Sequence, residues 1–184
     1  MPDLLGIIVP LRKFLSNSVE NITLTNSHEN ILVLEKGRRY VIPDFQREIR
    51  WDQDNVAILL DDLESGSKYL GNIILTQQEE NIFSIIDGQQ RITILTMILT
   101  AILRFHGDDM DVLYPCKLQV DSFSGFEILL DSCFASESLE DQKVCESDHL
   151  HQKEKYFNLW KCLIEEFETR EKLKHCWKIL NRAM

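Results

Sequence analysis

The chain has 184 residues, which fits one domain or one domain with an appended helical piece. A hydrophobic share of 44% beside 27% charged residues supports an ordinary globular core, and 7 Gly with 4 Pro exclude a loop-dominated chain. The formal net charge of −10 excludes a surface that is basic throughout, so any nucleic-acid contact must come from a local basic patch or a partner subunit. The five cysteines, at 116, 133, 145, 162 and 176, show no C-x-x-C pairing and suit reduced thiols of the cytoplasm better than a disulfide framework. No basic region precedes the apolar run Leu4–Val9, and no run reaches the roughly 18–20 apolar residues of a membrane span. These features predict a cytoplasmic protein with no membrane contact.

Residues 4–20 are weakly helical and broken by Pro10. Two short strands, Ile31–Leu34 and Tyr40–Ile42, flank a polar turn, and Pro43 ends the second because it lacks a backbone donor. Asp52 is a predicted N-cap, followed by Val56, Leu59, Leu60 and Leu63 at helical spacing to about Glu64. Strands are predicted at Asn72–Thr76 and Ile82–Ile86, with a polar connection from Gln77 to Asn81. From Gln89 to Phe105 the residues are apolar almost all round, as in a helix inside a domain. Residues 131–148 carry six acidic side chains and one lysine and read as a solvated linker. From about Leu150 a stripe of Tyr156, Phe157, Trp160, Leu163, Ile164 and Phe167 predicts a core-facing helix, with more helix to the end. The order is α+β, divided into a first part at 1–110 and an acidic linker with a helical region at 111–184.

Two segments carry candidate chemistry. The first is a strand, then Asp87-Gly88-Gln89-Gln90-Arg91, then a buried helix. Gly88 allows a sharp turn and close approach of a ligand, and the first helical turn leaves backbone N–H groups for an anion. Gln89 and Gln90 add amides, Arg91 offers a planar fork for phosphate, and Asp87 is placed to hold a divalent cation or act as a general base. There is no P-loop lysine and no G-x-G-x-x-G. The plainer alternative is an Asp cap before a surface turn. The second segment is Ile42-Pro43-Asp44-Phe45-Gln46-Arg47-Glu48-Ile49-Arg50-Trp51, whose aromatics and arginines suit a base and its phosphates. Residues 36–50 hold five basic and two acidic side chains, which marks Arg38, Arg39 and Arg50 as candidate DNA contacts. Its plainer alternative packs Phe45 and Trp51 in the core and pairs the arginines with nearby aspartates.

Taken together, I-P-x-F-Q-R-x-x-x-W at Ile42–Trp51 and D-G-Q-Q-R at Asp87–Arg91 resemble the N-terminal domain family of GmrSD-type restriction endonucleases. The resemblance is specific over about residues 38–105 and weaker over the helical tail. It implies a ParB/sulfiredoxin-like fold, a small mixed sheet with helices, followed by a helical C-terminal part. It also implies binding of an NTP with Mg, and its hydrolysis, in restriction of modified foreign DNA in bacterial phage defence. Asp87 and Arg91 would then be catalytic, with Asp87 as metal ligand. Gln46, Arg47, Gly88, Gln89, Gln90, Arg91 and Thr93 would hold the nucleotide and its phosphates, Gln46 and Arg47 from the opposite strand end.

The sequence departs from the family pattern at Ile94, where a second threonine is usual. It ends at Met184 without the HNH-type nuclease module of many relatives, so DNA cleavage is expected from a partner nuclease subunit or module. The C-terminal helices are a candidate homodimer surface. The alternative is a non-catalytic sensor that binds nucleotide or DNA and a partner nuclease. Phosphoryl transfer of the sulfiredoxin type lacks a cysteine near the motif, and Cys145, His149 and His151 match no zinc spacing.

Overall fold

The computed structural model describes residues 9, 11–15, 22–25, 31–34, 37–65, 69–106, 117–120 and 150–169. The elements run α1 (Leu11–Leu15), β1 (Ile22–Thr25), β2 (Ile31–Leu34), β3 (Arg39–Ile42), α2 (Gln53–Glu64), β4 (Ile74–Glu79), β5 (Ile82–Asp87), α3 (Gln89–His106), β6 (Lys117–Val120) and α4 (Leu150–Thr169). The order is α+β, as the hydrophobic periods predict. The acidic segment 131–148, with Cys145 and His149, and the expected helix after residue 170 lie outside the described residues.

β1 and β2 form an antiparallel ribbon, and the main sheet has the order β4-β5-β3-β6. β3 is parallel to β5 and to β6, while β4 is antiparallel to β5. The two strands predicted around the turn at 35–39 both exist, but they enter different sheets: β2 pairs with β1, and β3 lies in the main sheet. Nothing in a four-residue apolar run states its partner, and β1 and β6, with two apolar residues each, are too short for their alternation to mark them as strands. The β4–β5 connection is tighter than predicted. β4 continues to Glu79, and Asn81 takes φ 65°, a left-handed conformation that asparagine tolerates.

Period-two alternation puts Tyr40 and Ile42 of β3, Phe83 and Ile85 of β5 and Leu118 of β6 on one face, within a single core with the helices. α2 starts at Asp52, whose side chain accepts from Asn55 N while the Asn55 side chain accepts from Asp52 N. Its buried face is Val56, Leu59, Leu60 and Leu63. In α3, every residue from Ile92 to Ala101 is buried, including Thr96 and Thr100, whose hydroxyls donate to carbonyls one turn back. α4 contributes Tyr156, Leu159, Trp160 and Leu163, an i, i+3, i+4, i+7 stripe, to the same core. Of the stripe read from the sequence, Tyr156, Trp160 and Leu163, with partly buried Ile164, pack into this core, while Phe157 is not among its residues.

Arg38, expected at a DNA surface, is instead 0% exposed. Its guanidinium donates to the carbonyls of Lys13 and Phe14 at the end of α1, and to Tyr40 Oη at 3.2 Å. Tyr40 Oη donates to Phe14 O at 2.7 Å, and the two rings lie 4.9 Å apart. The cation thus caps α1, where helix carbonyls lack intrahelical partners. Arg38→Ala should lower the unfolding free energy by about 3 kcal/mol, because buried carbonyls lose their donors and a cavity opens. Urea denaturation checks this against Arg39→Ala, an exposed neighbour expected within about 0.5 kcal/mol of wild type.

Candidate functional site

Because β3 and β5 are parallel, the segments leaving their C-terminal ends emerge at the same edge of the sheet, where open α/β sheets place their ligands. One is residues 43–52 and the other is Asp87–Arg91. The β3–β5 register ends at Val41–Ser84, and a bulge in the β4–β5 pairing skips Ile86 between the pairs Ile74–Asp87 and Leu75–Ile85. The carbonyls of Ile85 and Ile86 are met by the Gln46 amide, whose Nε2 donates to them at 3.3 and 2.8 Å. A side-chain amide thus extends the ladder past the end of β3, at the kind of bulge that re-aims neighbouring side chains.

The motif glutamines complete a clamp between the two segments. Gln89 Nε2 donates to Arg47 O at 2.5 Å, and Gln90 Nε2 donates to Glu48 O at 3.2 Å. Gln90 Oε1 accepts from Arg50 N at 2.6 Å and from Trp51 N at 3.2 Å. Gln89 and Gln90 are only 6% and 7% exposed. The two strand ends therefore meet, as a composite site requires, and the glutamine amides are the contacts that join them.

Gly88 caps α3, accepting from Ile92 N at 3.0 Å. Its φ is +89°, and a Cβ there would stand 2.9 Å from Asn72 O. Without a capping side chain, the N–H groups of Gln89, Gln90 and Arg91 have no partner among the described residues. Asp87 is exposed, and its carboxylate likewise has no partner among them. Arg91 Nη1 donates to Asn72 O at 3.1 Å, and its guanidinium lies over Gly71, where a Cβ would come within 2.5 Å of Cζ. Tyr69 Oη and Asn72 Oδ1 are 2.6 Å apart. Gly71 and Asn72 therefore position Arg91, a role the sequence analysis missed; the only signal for it was a glycine directly before a strand.

Arg47 and Arg50 are exposed on the segment held by the clamp. Arg39 is exposed too, but its N donates to Asn81 O at 2.7 Å, placing it by the β4–β5 turn at the other end of the sheet. With Arg38 buried, the three arginines expected to face DNA do not form one surface. Thr93 is 1% exposed and faces the core one turn into α3, as does Ile94. Phe45 is 75% exposed, against the plainer alternative that packed it, while Trp51 is partly buried against the core. Among the described residues no three His, Cys, Asp or Glu side chains are grouped to hold a metal, and no helix is long and apolar enough to cross a membrane.

The family model for the GmrSD restriction endonuclease N-terminal domain matches residues 29–183, most of the chain. The chain belongs to this family. Comparisons with curated proteins and with solved structures give no match. The match covers both motif segments, the sheet and α4, so membership makes this GmrSD-type domain a module of a restriction system.

Gln90→Ala removes the partners of Arg50 N, Trp51 N and Glu48 O. It should cost about 2–3 kcal/mol of stability and speed amide exchange at Arg50 and Trp51 by about tenfold or more. Residue-level hydrogen exchange measures this, and unchanged protection at those two amides would refute the clamp.

Proposed function

We propose that this GmrSD-type domain binds a nucleoside triphosphate at the N-terminus of α3 and hydrolyses it with Mg, as the nucleotide-dependent part of a restriction system. The observation that carries the reading is the end of α3: unpartnered N–H groups behind Gly88, an exposed carboxylate at Asp87, and a guanidinium held at Arg91. Three N–H groups converging at a helix N-terminus attract phosphate oxygens, and the helix dipole adds to the attraction.

The donor set fits Mg, which is commonly held by one or two carboxylates, several waters and the substrate's own phosphates. Asp87 would hold it, and the ion would supply charge neutralisation on the phosphate oxygens. The chain's own residues do the rest. Arg91, fixed by Asn72 O and Gly71, stabilises charge that develops on the phosphoryl oxygens. The clamp of Gln46, Gln89 and Gln90 keeps the segment bearing Arg47 beside the phosphates. Arg47 and Arg50 are the exposed arginines of this segment from which DNA contact would be made in an otherwise acidic protein. DNA cleavage is assigned to a partner nuclease subunit or module, gated by nucleotide turnover.

The test is nucleotide binding and Mg-dependent hydrolysis across ATP, GTP, CTP and UTP. Asp87→Ala and Arg91→Ala should each lower hydrolysis by about 100-fold or more while the circular dichroism spectrum is retained. Binding without turnover in the wild type would convert the module into a non-catalytic sensor. No binding by any nucleotide, with both variants equal to wild type, would leave the turn a purely structural one.

A further inference from the structure

Beside the clamped segment lies a groove of about 510 Å³ between residues 49–53 and α4, with none of residues 87–91 in its lining. Its polar rim includes exposed Arg50, Gln53 and Asn158, and its apolar wall includes Trp51 and buried Leu159. Lys155 also lines it but is paired with Glu48 at 2.9 Å, and the Asp52 carboxylate is engaged in capping α2. The Arg50 guanidinium, by contrast, has no partner among the described residues.

This combination selects a ligand class. One available cation beside a carboxylate is a poor site for a bare anion, and the amides with the arginine make a poor site for a purely apolar group. A planar aromatic with a hydrogen-bonding edge and an attached anion satisfies every wall. Trp51 lines the apolar wall where a base would lie, Asn and Gln amides can pair with a base edge, and arginine takes the phosphate.

We propose that this groove binds a nucleotide unit, with the base against Trp51 and Leu159, its edge at Asn158 and Gln53, and its phosphate at Arg50. The site is separate from the end of α3 and does not rest on turnover at Asp87. Gln90 links the two, because its carboxamide accepts from Arg50 N and Trp51 N while it sits in the first turn of α3. The nucleotide unit has two sources, a free nucleotide or a residue of a DNA strand.

Cys162 also lines the groove and serves as a reporter. Burial, then Glu166 and Glu165, push its thiol above the usual range, so labelling belongs in mildly alkaline buffer. The experiment follows iodoacetamide alkylation of Cys162 by peptide mapping in the full chain, without Mg. The probes are inorganic phosphate, each nucleoside triphosphate, and a mixed-sequence single-stranded DNA oligonucleotide. A saturating ligand should slow alkylation by about tenfold, and Arg50→Glu and Asn158→Ala should each raise the required concentration by about tenfold, the order of one lost polar contact. Protection by triphosphates identifies the free nucleotide as the source, and protection by the oligonucleotide alone identifies the strand. Asp87→Ala should leave protection intact even if it abolishes hydrolysis, which separates failure here from failure at the end of α3. The proposal is overturned by unchanged alkylation with every probe, or by equal protection from phosphate. Protection insensitive to both groove variants, or lost in Asp87→Ala, overturns it as well.

Discussion

Everything at the carboxyl edge of the sheet depends on a set of side-chain amides that take the place of backbone pairing where the strands have ended. β3 stops at Ile42, yet β5 runs on to Asp87, leaving carbonyls beyond the reach of the ladder and a departing segment with its own unpaired groups. Gln46 reaches from that segment to β5, and Gln89 and Gln90 reach back from α3. An amide carries both donors and an acceptor, so Gln90 alone can satisfy one carbonyl and two N–H groups. A carboxylate of similar reach would leave the carbonyl unmet, and an ammonium the two N–H groups.

The clamp divides the labour within the D-G-Q-Q-R motif. Its glutamines, which in isolation look like ligand contacts, are almost fully buried and hold protein backbone. What remains for a ligand is what the clamp leaves open: the N–H groups of the first turn of α3, the Asp87 carboxylate and the fork of Arg91. Gly71 and Gly88 serve the same end by different means, one clearing space for a guanidinium and the other for the Asn72 carbonyl. On the proposed reading these groups are held in place before anything binds, and so would stabilise charge with little reorganisation.

Electrostatics follow the same geometry. The chain is acidic overall, and its arginines near residue 40 look like one basic stretch in sequence. The fold disperses them: Arg38 caps a helix inside the core, Arg39 stands by the β4–β5 turn, and Arg47 and Arg50 flank the clamp. Only the last two share an edge with Asp87.

The sequence by itself determined the elements with strong periods: α2 with its Asp52 cap, the all-buried α3, the stripe of α4, and the strand–turn–helix that carries Asp87–Arg91. It determined the family as well, because two uncommon motifs occur in the right order. Those features are local, written in residues within a turn or two of one another, where spacing and capping chemistry are visible. Only the tertiary structure decided that β3 joins β5 and β6 rather than β2, that Arg38 is buried, that Gln46 serves β5, and that Gly71 and Asn72 hold Arg91. Each of those facts joins groups roughly twenty or more residues apart, and a side chain's partner across such a separation depends on where the backbone brings unpaired groups, which no local pattern records.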